Sequence, residues 1–173
     1  TIFETFLALM LGGGIIGGEG KATDVVAGNK GKRKFSAKNY EGSPGGSQAS
    51  ANFIAELGSD QNETIWFICL VKTGQKEAGA STVTNFSRLD IYISGVSWNG
   101  EDKTKPENYI CYNTDNIAIG RLVAEGKTQW KVAWDNKPNF MIPISPSWAD
   151  KSSIASFDKL FVDTIVELKD DVK

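Results

Sequence analysis

The sequence contains no histidine and only two cysteines among its 173 residues. Without histidine, the chain cannot form a Ser-His-Asp or Cys-His catalytic arrangement, and the usual zinc and haem ligand sets are excluded. Cys69 and Cys111 lie in apolar segments, and neither belongs to a CxxC motif. Each is therefore either an inert buried thiol or half of a single bridge formed in an oxidising compartment. We predict no metal site and no cofactor.

The sequence also lacks an apolar run long enough for a membrane-spanning helix. Its most hydrophobic segment, TIFETFLALML, contains Glu4 and is followed by three glycines, whereas a span needs about 20 apolar residues. The segment has neither the basic start nor the small-residue cleavage site of a signal peptide. We therefore interpret it as a peripheral segment that docks on protein.

A strong charge of one sign is absent as well, because the net charge is −2. Such a chain has no overall attraction to nucleic acid or to an anionic membrane. The body carries no nucleic-acid signature, and the basic residues near the start form only a weak patch of Lys30, Lys32, Arg33, Lys34 and Lys38.

What the sequence does contain is a series of short apolar runs bounded by turn residues. Segments such as RLDIYISGV, TQWKVAW and LFVDTIVEL alternate apolar and polar residues with period two. This pattern is typical of antiparallel strands, and ANFIAEL is interpreted as one more short run of this series. We predict an all-β fold, an antiparallel two-sheet sandwich of jelly-roll type with seven to nine strands.

The chain divides into three segments by composition. Residues 1–20 form a hydrophobic N-terminal segment and a glycine hinge. Residues 21–50 are rich in Gly, Ser and Lys, which indicates a basic arm or long loop with at most one short strand. Residues 51–173 form the predicted β-sandwich body.

One predicted strand, TIWFICLVK, is apolar on both faces. Alternation places Trp66, Ile68 and Leu70 on one face, and Ile65, Phe67, Cys69 and Val71 on the other. A strand buried on both sides needs a second cover besides the core of its own sheet. That cover is a loop of the same chain, the N-terminal segment or a neighbouring copy.

The N-terminal segment is the candidate assembly contact. As a helix or as a strand it presents apolar side chains, and the glycines after it give the backbone freedom to reach another copy. The predicted contact consists of Ile2, Phe3, Phe6, Leu7, Met10 and Leu11 of the segment, with Trp66, Ile68 and Leu70 on the receiving strand.

Two tryptophans beside turns are candidate ligand-binding residues. Trp98, followed by Asn99, and Trp148 either stack on a ligand such as a sugar or pack at the rim of the core. Asp115 and Asp135 have oxygen-rich neighbours, but their spacing fits no calcium loop, so turn formation explains them better.

We therefore predict a non-enzymatic structural protein that self-assembles, with other copies of itself as partners. An extracellular filament, a surface layer or a virion shell would use such a subunit. Two alternatives remain open from the sequence. One is a membrane-active, pore-forming β-sandwich, and the other is a carbohydrate-binding module.

Overall fold

The computed structural model describes residues 2–11, 14–15, 21–27, 33–41, 45–81, 85–136, 138 and 141–144. Within these residues the chain is mostly β-structure, with two helices, α1 (Ile2–Leu11) and α2 (Ser50–Leu57). A 3₁₀ turn covers Pro106–Asn108. The described strands are β1 (Gly14–Ile15), β2 (Val25–Ala27), β3 (Arg33–Glu41), β4 (Ser47–Ala49), β5 (Ile65–Gln75), β6 (Asn85–Trp98), β7 (Tyr109–Tyr112), β8 (Ala118–Ala124), β9 (Gln129–Trp134) and β10 (Met141–Ile144).

These strands form one curled, mixed sheet that makes a half-barrel. The hydrogen-bonded order is β1-β2-β3-β5-β6-β7-β8-β9-β4, and β10 pairs with β6. Strand β6 has 14 residues, so it pairs with β5 along one edge and with both β10 and β7 along the other. The predicted β-rich fold is confirmed, but the described strands lie in a single sheet rather than in a two-sheet sandwich.

The sheet is mixed because β3 and β5 run parallel, with Phe35 opposite Trp66 and Ala37 opposite Ile68. Two parallel neighbours need a crossover connection, and here β4 and α2 supply it. The prediction of a purely antiparallel arrangement is therefore wrong for β3 and β5. Strand β3 has nine residues and falls in the segment expected to be a loop with at most one short strand.

The curl brings distant strands of the sheet together. Strand β4 pairs with β9, and the residue before it, Gly46, accepts a hydrogen bond from Val132 N at 2.8 Å. A Cβ placed on Gly46 would lie 3.0 Å from Val132 Cγ2 and 3.4 Å from Phe67 Cδ1. Because Phe67 belongs to β5 and Val132 to β9, glycine is needed where the two sides of the curl approach.

Helix α2 fills the concave side of the curl, which we call the inner face. Phe53 and Leu57 are fully buried and lie one turn apart on the same side of the helix. The segment ANFIAEL, expected to be a strand, is thus helical, and its i, i+4 spacing suits that state. The residues buried with α2 on this face are Ile65, Phe67, Val96, Tyr109, Cys111, Ile119, Leu122, Trp130 and Val132.

Helix α1 covers the opposite side of the sheet, which we call the outer face. Leu7 is fully buried and Leu11 is 2% exposed. They form one cluster, the outer cluster, with buried residues of four strands. Its other members are Ala8, Val25, Ala27, Phe35, Ile68, Ile91 and Ile93.

Candidate functional site

The candidate site is the contact between α1 and the outer face. Leucine, alanine and methionine favour a helix in α1. Leu7 and Leu11 are four residues apart, so one side of the helix presents both leucines to the sheet. On the other side Leu9 is 77% exposed, and Thr5 is also exposed. The helix therefore has a docked side and a solvent side.

The receiving surface includes the three strand residues singled out from the sequence. Ile68 is buried in the outer cluster, and Trp66 and Leu70 are half-buried against it. Side chains alternate between the two faces along a strand, so Trp66, Ile68 and Leu70 face α1 while Ile65 and Phe67 face the opposite side. Helix α1 thus covers one face of β5 and helix α2 covers the other, as expected for a strand that is apolar on both faces.

In this single chain the cover of the outer face is its own α1. Leu7 and Leu11 of the predicted contact lie on it. The side chains of Ile2, Phe3, Phe6 and Met10 fall outside the described residues. Docking of α1 on a neighbouring copy stays a prediction.

Trp66 forms the rim of the receiving surface. A Cβ on Gly95 would lie 2.9 Å from Thr64 Cγ2 and 3.2 Å from Trp66 Cζ3. The indole therefore lies directly against the backbone of β6, where Gly95 is its register partner. Glycine at this strand position permits the close approach of the ring.

The start of β2 is anchored by Glu56 on α2. Its Oε1 accepts hydrogen bonds from Ala22 N at 2.5 Å and from Thr23 N at 3.2 Å. Its Oε2 accepts a further hydrogen bond from Thr23 Oγ1. Since Thr23 is fully buried, these bonds satisfy polar groups that would be costly to leave unpaired. Glu56 thereby ties this segment to the inner helix.

Asp24 makes a second anchor, on β3. Its Oδ2 accepts hydrogen bonds from Ala37 N at 2.7 Å and from Ser36 Oγ at 3.1 Å, and Lys38 Nζ lies at 3.8 Å. Its backbone N donates to Phe35 O at 2.8 Å. These contacts accommodate the polar residues of β3 within the sheet. The sequence offered no signal for Glu56 or Asp24 beyond their charge.

The two cysteines are free and buried on the inner face. Cys69 is opposite Tyr92 and Cys111 is opposite Val96, four residues apart along β6. That separation, about 13 Å along the strand, is too long for a disulfide bond. Burial raises the pKa of each thiol to about 12, so neither is a thiolate nucleophile near neutral pH.

Trp98 and Asn99 form hydrogen bonds with the backbone of nearby Glu101. Trp98 is half-buried against the inner-face residues, and its Nε1 donates to Glu101 O at 2.8 Å. Asn99 Oδ1 accepts a hydrogen bond from Glu101 N at 3.0 Å. Trp148 lies outside the described residues. The contacts of Trp98 suit the rim-packing alternative, and its role in ligand binding stays a prediction.

The residues around Asp115 form a turn. Asn113 Oδ1 accepts hydrogen bonds from Asp115 N at 3.0 Å and Ile117 N at 2.9 Å, and Asn116 has φ of 61°. Among the described residues, no group of three or more His, Cys, Asp or Glu side chains could hold a metal ion. Neither described helix is long and apolar enough to cross a bilayer.

No family model, curated protein or solved structure matches this chain.

Proposed function

We propose that this is a non-enzymatic structural protein that self-assembles by exchanging α1 between copies. The observation that carries the proposal is the docking of α1 through Leu7 and Leu11 on the outer face. Any copy whose own α1 has left offers the same surface to the α1 of a neighbour. Exchange of an identical element keeps every contact of the closed monomer, so it is a low-cost route to association.

The strength of the docking suits exchange. The buried side chains of Leu7 and Leu11 contribute about 3–6 kcal/mol before the cost of ordering the helix. We expect α1 to open more often than the sheet unfolds, because its opening leaves the pairing of β3 with β5 in place. At high protein concentration an open α1 meets a neighbouring outer face.

Assembly, rather than catalysis, is also the proposal that fits the chemistry of the chain. It has no histidine, and both of its thiols have a pKa of about 12. We place the protein in an extracellular filament, a surface layer or a virion shell.

The test compares two leucines of the same helix. Leu7→Asp puts a charge into a site that is fully buried, while Leu9→Asp changes a side chain that is 77% exposed. Burying an unpaired charge is costly, so Leu7→Asp should abolish assembly and Leu9→Asp should retain it. Size-exclusion chromatography with light scattering over a concentration series measures the mass of each variant.

The proposal fails if the unmodified chain stays monomeric at every concentration. It also fails if Leu7→Asp assembles as the unmodified chain does. A circular dichroism spectrum that retains the β-signal in Leu7→Asp shows that the sheet is still folded.

A further inference from the structure

Strand β1 is joined to α1 by two glycines, and both elements rest on β2. In β1, Gly14 is opposite Val26 and Ile15 is opposite Val25 in an antiparallel pair. Helix α1 packs against β1, β2 and β3. Strand β1 is the first strand in the sheet order. The helix and this short strand thus share a neighbour and a position at one edge of the sheet.

The chain directly before β2 is held by different elements. Ala22 and Thr23 donate to Glu56 on α2, and Asp24 is bound to β3 through three hydrogen bonds. Between β1 and Lys21 stand residues 16–20, IGGEG, of which three are glycines. Glycine gives the backbone the widest choice of conformations. Residues 22–24 are thus bonded to α2 and β3.

We propose that α1 and β1 exchange as one unit, so that the β2 edge of a neighbouring copy receives β1 while its outer face receives α1. This inference rests on the proposed function and names the exchanged part. Opening separates Gly14 and Ile15 from β2, and the neighbour restores the same backbone pairing, as in strand addition to a sheet edge. Residues 22–24 stay with their own body, because Glu56 and Asp24 hold them there.

The linker sets how close the two copies must be. Six residues, 16–21, connect the exchanged unit to the anchored Ala22, and an extended chain covers at most about 3.3–3.6 Å per residue. The β1 position of the neighbour must therefore lie within roughly 20–25 Å of Ala22. Only copies whose β1–β2 edges face each other meet this limit.

The test uses a disulfide between copies at the β1–β2 pair. Tagged copies carry Gly14→Cys, where a Cβ meets open space, and untagged copies carry Val26→Cys at a half-buried position. Facing residues of antiparallel strands are close enough for a disulfide bond. The native thiols of Cys69 and Cys111 have a pKa of about 12, so they should not form disulfide bonds under the same mild oxidation. After mixing and mild oxidation, the tagged chains are captured and analysed on a non-reducing gel.

We expect a disulfide-linked pair of tagged and untagged chains in the assembled fraction. The matched control, Lys103→Cys mixed with Val26→Cys, should give none, because Lys103 is exposed and the register partners of Val26 are Gly14 and Lys34. With both cysteines in one chain, oxidation of the monomer before mixing should abolish assembly, and reduction should restore it.

The outcomes separate this inference from the proposed function. If assembly depends on Leu7 but no disulfide forms between the Gly14→Cys chains and the Val26→Cys chains, β1 remains paired with its own β2. The inference is then overturned while the proposed function stands. If the oxidised monomer still assembles, the inference is likewise overturned. A chain that never assembles overturns both.

Discussion

The two helices cover the two faces of one sheet in different ways. Helix α2 lies between β4 and β5, and its Phe53 meets three aromatic rings at centroid distances of 6.0 to 6.4 Å. Helix α1 precedes the sheet in the chain, and Gly12 and Gly13 join it to β1. The inner cover is therefore part of the crossover between β3 and β5, while the outer cover lies outside that crossover.

The comparison shows that burial alone does not decide whether an element can leave. Leu7 and Phe53 are both fully buried. Loss of α2 would break the crossover between β3 and β5, whereas loss of α1 leaves those two strands paired. The free energy of opening depends on what else must break, and that cost is larger for α2.

The largest expected effect is on the free energy of unfolding when one buried side chain of each helix is shortened to alanine. Phe53→Ala should lower the free energy of unfolding by about 3–5 kcal/mol, because it leaves a cavity in the inner core. Leu11→Ala should cost less, since its penalty is limited by the free energy of docking α1. Urea unfolding of both variants, monitored by tryptophan fluorescence, measures the difference in their free energies of unfolding. Equal losses would mean that α1 and α2 unfold as one cooperative unit.

A smaller effect is expected from alkaline pH, which should act on the inner face alone. Burial raises the pKa of Tyr109, Cys69 and Cys111 to about 12, and the outer cluster has no ionisable side chain among its described members. Above pH 9, the unfolded chain releases protons that the folded chain keeps. Stability should therefore fall by up to about 1.4 kcal/mol for each thiol over the first pH unit above 9. Tyr109, whose ordinary pKa is 10.0, should add to the fall only above pH 10.

Urea unfolding at pH 8, 9.5 and 10.5 measures this slope. Cys69→Ala should make the slope shallower, because one of the groups whose pKa is raised by burial is gone. A slope that is the same in Cys69→Ala would show that Cys69 does not contribute.

The smallest effect concerns thiol labelling, which reports opening of the inner face. At pH 8 a thiol with a pKa of about 12 is ionised in roughly one molecule in 10⁴. Labelling of the native chain with a thiol reagent should therefore be slow. Leu11→Ala should leave the labelling rate unchanged and Phe53→Ala should raise it, since both cysteines face away from α1. Faster labelling of Leu11→Ala would show that the two faces are coupled.

Much of this arrangement could be predicted from local patterns. Period-two alternation indicated β-structure, and the doubly apolar β5 indicated a cover on each face. The pairing of β3 with β5 could not be predicted, because β4 and α2 separate the two strands in the sequence. Helix α2 was missed because its eight residues make little more than two helical turns, which is too short a segment for a clear helical period.

The candidate site was predicted only in part. Trp66, Ile68 and Leu70 share one face because strand geometry makes them do so. Glu56 could not be recognised as an anchor, since its partners Ala22 and Thr23 are brought to it by the crossover. Contacts of this kind depend on topology, which short-range patterns do not report.

The parallel pairing of β3 with β5 also bears on how fast the chain folds. Phe35 must find Trp66 across the whole of β4 and α2. Closing such a loop lowers the chain entropy before any stabilising contact forms. Pairings between residues distant in sequence therefore slow folding. We expect β8 and β9, which are neighbours in sequence, to pair early, and β3 to join late. A newly made chain would then expose the bare edge of β5 for some time, and during that interval it is open to mispairing with other chains.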